Sequence, residues 1–180
     1  MKKVISIAVL VLLIAGGLFF SQVPPQAQAR ATQIFEFDTM VSVPKAYTGS
    51  LSPIRGINGG GLPWVIGSGG GELNSNGDLE VSVRGLVLDP NDPNVIAAGL
   101  AGQNPIAQFK VIVSCQTVDA NGAATVVNTT STAFPAKTGL ASKGGGNAHV
   151  ETHISLPKPC IAPILFVTSP GGAWFAATGN

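Results

Sequence analysis

Charged side chains are scarce in this chain. They make up 11% of its 180 residues, and ten basic against nine acidic residues leave a formal net charge of +1. Because soluble proteins carry about 25% charged residues, Asn, Ser, Thr and Gly must supply much of the polar surface here. The sequence has no cluster of Lys or Arg that could neutralise a run of phosphates, so we do not expect nucleic acid as a partner.

Long apolar runs are also absent, with one exception at the N-terminus. Two lysines precede an apolar run of 17 residues from Val4 to Phe20, and an A-x-A cleavage site follows at residues 27–29. This order predicts a secretory signal peptide over residues 1–29. The alternative is an uncleaved anchor that tethers the protein to the membrane, because a bilayer-spanning helix needs ~17–25 residues. Residues 30–180 are then expected to form one exported domain that does not itself span a membrane.

The chain after the leader also lacks the apolar period of 3.6 residues that marks an amphipathic helix. Apolar and polar residues alternate instead, and turns rich in Gly and Pro separate the alternating stretches. The predicted strands are residues 35–43, 78–88, 109–118, 148–156 and 160–169, with shorter candidates at 63–66, 95–98, 124–129 and 173–177. This pattern predicts an all-β fold, an antiparallel β-sandwich with the general architecture of an immunoglobulin domain.

Cysteine is limited to two residues, Cys115 and Cys160. In an exported chain such a pair predicts one disulfide. Both cysteines lie on the strand faces that carry bulky apolar residues, which predicts a bridge between the two sheets of the sandwich. The alternative is a nucleophilic thiol, which needs a histidine partner that the sequence alone does not place.

Glycine is plentiful, and two glycine triplets flank Trp64 in GINGGGLPWVIGSGGGELNSNG, residues 56–77. The stretch matches neither the P-loop nor the dinucleotide-binding pattern, and no helix is predicted after it, which argues against a phosphate site. We therefore interpret Gly59–Gly61 and Gly69–Gly71 as turns around a short strand, and Asn76-Gly77 as a hairpin turn. Trp64 is then expected to be a core residue.

A candidate metal site lies in the segment HVETH. His149, Glu151 and His153 alternate with apolar or small residues, so on a strand their side chains share one face. Imidazole and carboxylate are ligands of zinc and other divalent transition metals. Residues two apart on a strand are ~7 Å apart, so one ion would bind an adjacent pair rather than all three. The competing interpretation is the solvated face of an antiparallel strand, with no metal and no other cofactor.

Signals of catalysis are missing from the sequence. It contains no G-x-S-x-G nucleophile elbow, and its nine acidic residues are scattered without a marked pair. A Ser-His-acid triad using His149 or His153 with an acid such as Asp78 or Asp119 would be recognised by geometry and not by composition. We assign no catalytic residue and expect a protein that is not an enzyme.

Aromatic residues are few, at 6% of the chain, which gives little support for carbohydrate binding by stacking. Trp174 and Phe175 are consecutive, so on a strand they point to opposite faces. Either one of them faces away from the core and offers a contact surface, or the second face of this strand is also covered.

Three long segments carry a resemblance: GGGLPWVIGSGGGELNSNGDLEVSVRGLVL (59–88), GGGNAHVET (144–152) and LPKPCIAPILFVTSPGGAWFAATG (156–179). Together they resemble small exported bacterial proteins of uncharacterised function, over most of the chain from Gly56 onward. The resemblance implies export but no catalytic residue, cofactor or partner. We expect a secreted, non-enzymatic binding or structural module for an unidentified extracellular partner or surface. The alternative is a metal-binding or metal-dependent protein that uses the HVETH strand.

Overall fold

The computed structural model describes residues 31–179, so the signal peptide predicted over residues 1–29 lies outside the described part. Strands account for 49% and helical turns for 7% of the described residues, which confirms the all-β prediction. The strands are β1 (Gln33–Phe37), β2 (Met40–Ser42), β3 (Trp64–Val65), β4 (Ser68–Asn74), β5 (Asp78–Arg84), β6 (Val87–Leu88), β7 (Gln103–Asn104), β8 (Gln108–Val118), β9 (Ala124–Thr130), β10 (Phe134–Pro135), β11 (Gly139–Leu140), β12 (Ala148–His153), β13 (Ile161–Thr168) and β14 (Trp174–Thr178). An α-helix, α1, spans Pro93–Ala97, and 3-10 turns occupy Lys45–Tyr47 and Ala141–Lys143. Over the described residues, no helix has the length and apolar character needed to cross a bilayer.

Two antiparallel sheets form the sandwich. One has four strands in the order β1-β4-β5-β12, and the other has six, in the order β10-β8-β13-β14-β2 with β9 also paired to β8. Two small sheets, β11-β7 and β3-β6, complete the described fold. The predicted antiparallel β-sandwich with one disulfide is confirmed.

The core is built from the inward-facing residues of the two sheets. Leu79, Val81 and Val83 of β5 are buried while the residues between them are exposed or half-buried, as the alternation predicts. In the larger sheet, β8 contributes the fully buried Phe109 and Val113. Each such side chain contributes roughly 1.5–3 kcal/mol when it is buried.

The disulfide joins Cys115 and Cys160, with their Cα atoms 5.0 Å apart. The prediction of a bridge between the two sheets is wrong, because Cys115 lies on β8 and Cys160 directly precedes β13, and these strands are neighbours in the six-stranded sheet. Ile161 pairs with Gln116, which brings the two cysteines side by side. The bridge therefore links two neighbouring strands of one sheet, whereas the chain between the two cysteines passes through β12 of the other sheet.

The strand predicted over residues 35–43 is two strands that belong to different sheets. β1 lies in the four-stranded sheet and β2 in the six-stranded sheet, and the chain crosses between them at Asp38 and Thr39. The crossing reverses the phase of burial, so Met40 is buried and Val41 is exposed. Local alternation alone does not reveal such a change of sheet.

The strand predicted over residues 95–98 is wrong, because this segment belongs to α1. Asp92 caps the helix by accepting hydrogen bonds from the backbone N–H groups of Asn94 (2.9 Å) and Val95 (3.2 Å), and Pro93 occupies the first helical turn. Asp or Asn before Pro is a helix-start signal. The helix has five residues, too few to show a helical period of apolar residues, so its apolar segment matched a strand instead.

The second glycine triplet forms strand rather than the predicted turn. Gly69–Gly71 lie inside β4, which is paired on both sides. A Cβ atom on Gly71 would collide with the carbonyl oxygen of Glu80, and one on Gly69 would lie 2.8 Å from Cγ of Met40. Glycine in a strand allows this close approach of neighbouring chain. The hairpin turn at Asn76-Gly77, between β4 and β5, is confirmed.

Trp174 and Phe175 are both buried, at 3% and 4% exposed. Phe175 stacks on Trp64 with ring centroids 4.0 Å apart, which also makes Trp64 the core residue that was predicted. Trp174 packs edge-on against Tyr47 and Phe166. Of the two alternatives the second is therefore right: the outer face of β14 is covered, here by Tyr47, and neither aromatic ring offers a contact surface.

We expect thiol titration of the denatured, unreduced protein to find no free thiol, and titration after reduction to find two. Replacing both cysteines with serine should lower the free energy of unfolding by up to about 4 kcal/mol, because the bridge closes a loop with a sequence separation of 45. Free thiols in the unreduced protein would contradict the assignment.

Gly71→Ala should destabilise the fold by roughly 1–3 kcal/mol, because the added methyl group forces β4 and β5 apart. Gly61→Ala is the matched control, since a Cβ there meets no atom within 4 Å. Urea unfolding of the two variants measures the difference. Equal midpoints for both would show that the glycine in β4 is not required by packing.

Candidate functional site

β12 lies at the edge of the four-stranded sheet and presents the residues of the HVETH segment. His149, Glu151 and His153 are exposed, whereas Val150 and Thr152 are half-buried, and Val150 packs against the core. The prediction that the three polar side chains share one face is confirmed. Because the side chains between them pack toward the core, the two histidines and the glutamate of β12 face solvent.

The neighbouring strand β5 supplies the facing side chains. The antiparallel register pairs His149 with Ser82, Glu151 with Glu80, and His153 with Asp78. Directly opposite residues of an antiparallel pair point to the same face, with Cβ atoms ~4.5–5.5 Å apart. The outer surface of the two strands therefore carries two parallel columns of polar side chains.

Glu80, His149 and Glu151 form a group whose ligand atoms all lie within 4.8 Å of one another. Nε2 of His149 is 3.4 Å from Oε1 of Glu151, and these side chains are 52% and 76% exposed. Ligand atoms around tetrahedral zinc are about 3.4 Å apart, as follows from metal–ligand bonds of ~2.0–2.2 Å. Rotation of the two exposed glutamate side chains is enough to reach that spacing.

Ser82 fixes the orientation of the His149 ring. Its Oγ lies 2.8 Å from Nδ1 of His149. In the tautomer with the proton on Nδ1, that N–H donates a hydrogen bond to Ser82 Oγ, and Nε2 keeps a lone pair that is free to bind a metal. Metal-binding histidines usually have their second nitrogen held in this way. The alternation in DLEVSVR already placed Glu80 and Ser82 on one face, but only the strand register brings them opposite the HVETH segment.

His153 does not belong to this group. Its Nδ1 lies 3.0 Å from Oδ1 of Asp78, and Nδ2 of Asn76 donates to Oδ2 of the same carboxylate at 2.6 Å. These hydrogen bonds, first that of His153, lower the pKa of Asp78 below its ordinary value of 3.8. The expectation that one ion would not bind all three HVETH residues agrees with this separation.

Four glutamates lie side by side across the outer face of the four-stranded sheet. The register pairs Glu36 with Glu72, Glu72 with Glu80, and Glu80 with Glu151, and we call these residues the glutamate row. Like charges directly opposite each other destabilise a sheet. Among residues 31–179, no Lys or Arg side chain pairs with the row, and the contact of His149 with Glu151 carries opposite charges only when the histidine is protonated. The row is therefore an uncompensated band of negative charge.

Ser82, His149 and Glu151 also resemble the composition of a hydrolase triad, but their geometry does not support one. The serine contacts Nδ1 and the acid lies near Nε2, and both His149 and Glu151 are more than half exposed to water. β5 is paired with β4 on one side and β12 on the other, so the strand ladders use the backbone N–H groups around Ser82. An oxyanion hole needs such donors to be free.

Asp119, the other acid considered for a triad, lies in a turn of the six-stranded sheet, whereas both histidines lie on β12 of the four-stranded sheet. It lies in the turn between β8 and β9, where its side chain accepts hydrogen bonds from the backbone N–H groups of Asn121 (2.8 Å) and Ala123 (2.9 Å). Asp residues commonly stabilise turns in this way. Its role is structural.

Comparison of the chain with protein-family models, curated protein sequences and solved structures found no match. The functional assignment therefore depends on the geometry of the exposed sheet.

His153→Ala should raise the pKa of Asp78, because it removes the hydrogen bond that contributes most to the lowered value. A carboxyl with a lowered pKa stabilises the fold above its unfolded pKa and loses this effect as the pH falls through the folded pKa. The variant should therefore be less stable than the wild type at every pH above the ordinary pKa of 3.8, and the difference should disappear as the pH falls through the folded pKa of Asp78. Carboxyl chemical shifts measured against pH give the pKa directly. His149→Ala is the control and should leave Asp78 unchanged.

Proposed function

We propose that residues 30–180 form a secreted, non-enzymatic β-sandwich domain whose exposed four-stranded sheet binds a divalent transition metal through Glu80, His149 and Glu151. The convergence of these three side chains is the observation that carries the proposal. Secretion is supported by the leader sequence and by the disulfide, which is compatible with an oxidising compartment. Tethering by an uncleaved N-terminal anchor remains the alternative for its location.

The ligand chemistry supports a divalent ion. One imidazole nitrogen and two carboxylates would give a neutral site around a doubly charged cation, and this donor set suits zinc and related metals. A bound cation would also relieve the repulsion between Glu80 and Glu151, which oppose each other directly. The three side chains would leave positions open for water or for a group from a partner.

Ser82 and the sheet would supply the order that exposed ligands lack. Ser82 holds the His149 ring, and the register of β5 and β12 sets the spacing of Glu80 and Glu151. Residues that orient metal ligands typically change metal affinity by 10–100-fold. The site would then bind metal at an extracellular surface without catalysing a reaction.

A module that uses the same sheet without a metal is the second candidate. The glutamate row favours a partner with positive charge, because four carboxylates lie in register and no described Lys or Arg side chain pairs with them. Charge complementarity of this kind raises association rates and specificity. Such a partner would contact all four glutamates of the row, whereas a metal would bind only Glu80 and Glu151 at one end of it.

Calorimetric titration of metal-free mature protein with zinc tests the first candidate. We expect one ion per chain, and at least a tenfold loss of affinity in His149→Ala and Glu80→Gln, because each change removes a ligand.

His153→Ala is the matched control, since it removes a histidine from the same strand that is bonded to Asp78 instead. It should retain wild-type affinity. Absence of heat with the wild-type protein, or equal losses in His149→Ala and His153→Ala, would overturn the metal assignment.

A further inference from the structure

β9 is an edge strand with an unusual composition. It pairs with β8 along its full length, and no strand of the described residues pairs with its other side. Six of its seven residues, ATVVNTT, are exposed, and none is charged or a proline. Edge strands of natural proteins usually carry charge, proline or bulges that prevent pairing with another chain.

The other edges of the two sheets have such protection. β1 carries Glu36 and β12 carries Glu151, both exposed. β2 has three residues and ends two residues before Pro44, and β10 has two residues, of which one is Pro135. β9 is thus the one long, neutral edge among the described strands.

The backbone of β9 leaves hydrogen-bonding groups free on this edge. The N–H of Asp119 donates a hydrogen bond to the carbonyl of Ala123 before β9, and the N–H of Ser131 donates one to the carbonyl of Val111 after it. The odd-numbered residues of β9 are therefore the ones whose backbone groups bond to β8. Bonded and non-bonded pairs alternate in an antiparallel ladder. The N–H and C=O groups of the even-numbered residues therefore point away from β8, and no described residue bonds them. These residues are Ala124, Val126, Asn128 and Thr130.

Exposed apolar side chains accompany these free groups. Val126 and Val127 are 41% and 37% exposed, and Val118 and Ile161 nearby on β8 and β13 are 48% and 53% exposed. Val126 and Ile161 both lie opposite Gln116, one on each side of β8, so they share a face. A strand added beside β9 would cover part of this surface.

We propose that β9 is the contact strand of a homodimer, in which β9 of one protomer pairs antiparallel with β9 of its partner about a two-fold axis at Val127. This register pairs all seven residues of β9 with the seven of the partner's β9. It also makes the even-numbered residues, whose backbone groups are free, the ones that form hydrogen bonds between the protomers. It forms about eight backbone hydrogen bonds between the protomers. The two six-stranded sheets then become one continuous sheet.

The sequence of β9 fits a second copy of itself. In this register Thr125 lies opposite Thr129, Val127 lies opposite Val127, and Val126 lies opposite Asn128. Threonine pairs and β-branched pairs across strands are favourable, and the absence of charge means that no like charges meet at the two-fold axis. Standard interfaces bury ~1,600 Å² with about 20–30 residues on each side. Because this contact uses one seven-residue strand from each protomer, we expect the dimer to dissociate on dilution.

Sedimentation velocity of the mature protein over a wide range of concentrations tests the proposal. We expect the mass to rise from monomer to dimer with concentration, and Val127→Lys to abolish the dimer, because two lysines would then face each other. Val41→Lys is the matched control: Val41 is 60% exposed on β2, and its substitution should leave the dimer intact. A monomer at every concentration, or a dimer that survives Val127→Lys, overturns the proposal.

Cysteine cross-linking tests the register independently of stability. A mixture of Thr125→Cys and Thr129→Cys proteins should give a disulfide-linked heterodimer on oxidation, because the register places these two residues opposite each other in a closely spaced, non-hydrogen-bonded pair. Neither residue lies opposite Cys115 on β8, and either variant alone should not cross-link because its new cysteine then faces a threonine. Equal cross-linking of the mixture and of either variant alone would show random collision and would overturn the assigned register. Circular dichroism confirms that each variant is folded.

Discussion

The burial of one face of β5 and β12 against the larger sheet is the constraint on which the candidate site depends. Leu79, Val81 and Val83 are buried on β5, and Val150 packs against the core from β12. Because successive side chains on a strand point to opposite faces, the residues between these buried positions must face solvent. Glu80 and His149 are brought together by this requirement and by the antiparallel register, not by any interaction of their own.

The same constraint has an electrostatic cost that the fold does not remove. Nine acidic residues are present in the whole chain, and four of them lie in one line across the outer face of a single sheet. In a protein with so few charges, this concentration is more informative than the total. β9 shows the opposite: this long edge strand carries no charged residue, although edge strands ordinarily carry charge that prevents pairing with another chain. The two sheets thus present two surfaces of different character, one suited to a cation and one suited to another strand.

The sequence allowed several parts of this structure to be predicted from particular residues. The alternation at Leu79, Val81 and Val83 predicted β5, and that at His149, Glu151 and His153 predicted both β12 and its exposed face. The prediction failed where the chain changes its surroundings within a few residues. Asp38 and Thr39 carry the chain from one sheet to the other, and the cap at Asp92 turns a short apolar segment into a helix. The sequence predicts a turn at Gly69–Gly71, because glycine is common in turns. The close packing that requires glycine there involves Met40 and Glu80, and the sequence does not show that these residues lie beside β4.

By itself the sequence determined which side chains share a face within a continuous strand, and it favoured a disulfide between its two cysteines, because the first follows from local spacing and the second from the number of cysteines. Only the tertiary structure decided which strands are neighbours. That decision put the disulfide within one sheet, covered Trp174 with Tyr47, and placed Glu80 rather than His153 beside His149. The physical reason is that strand pairing and register are set by the packing of residues far apart in the chain, so a pattern with a period of two fixes the direction of a side chain but not the side chain it meets.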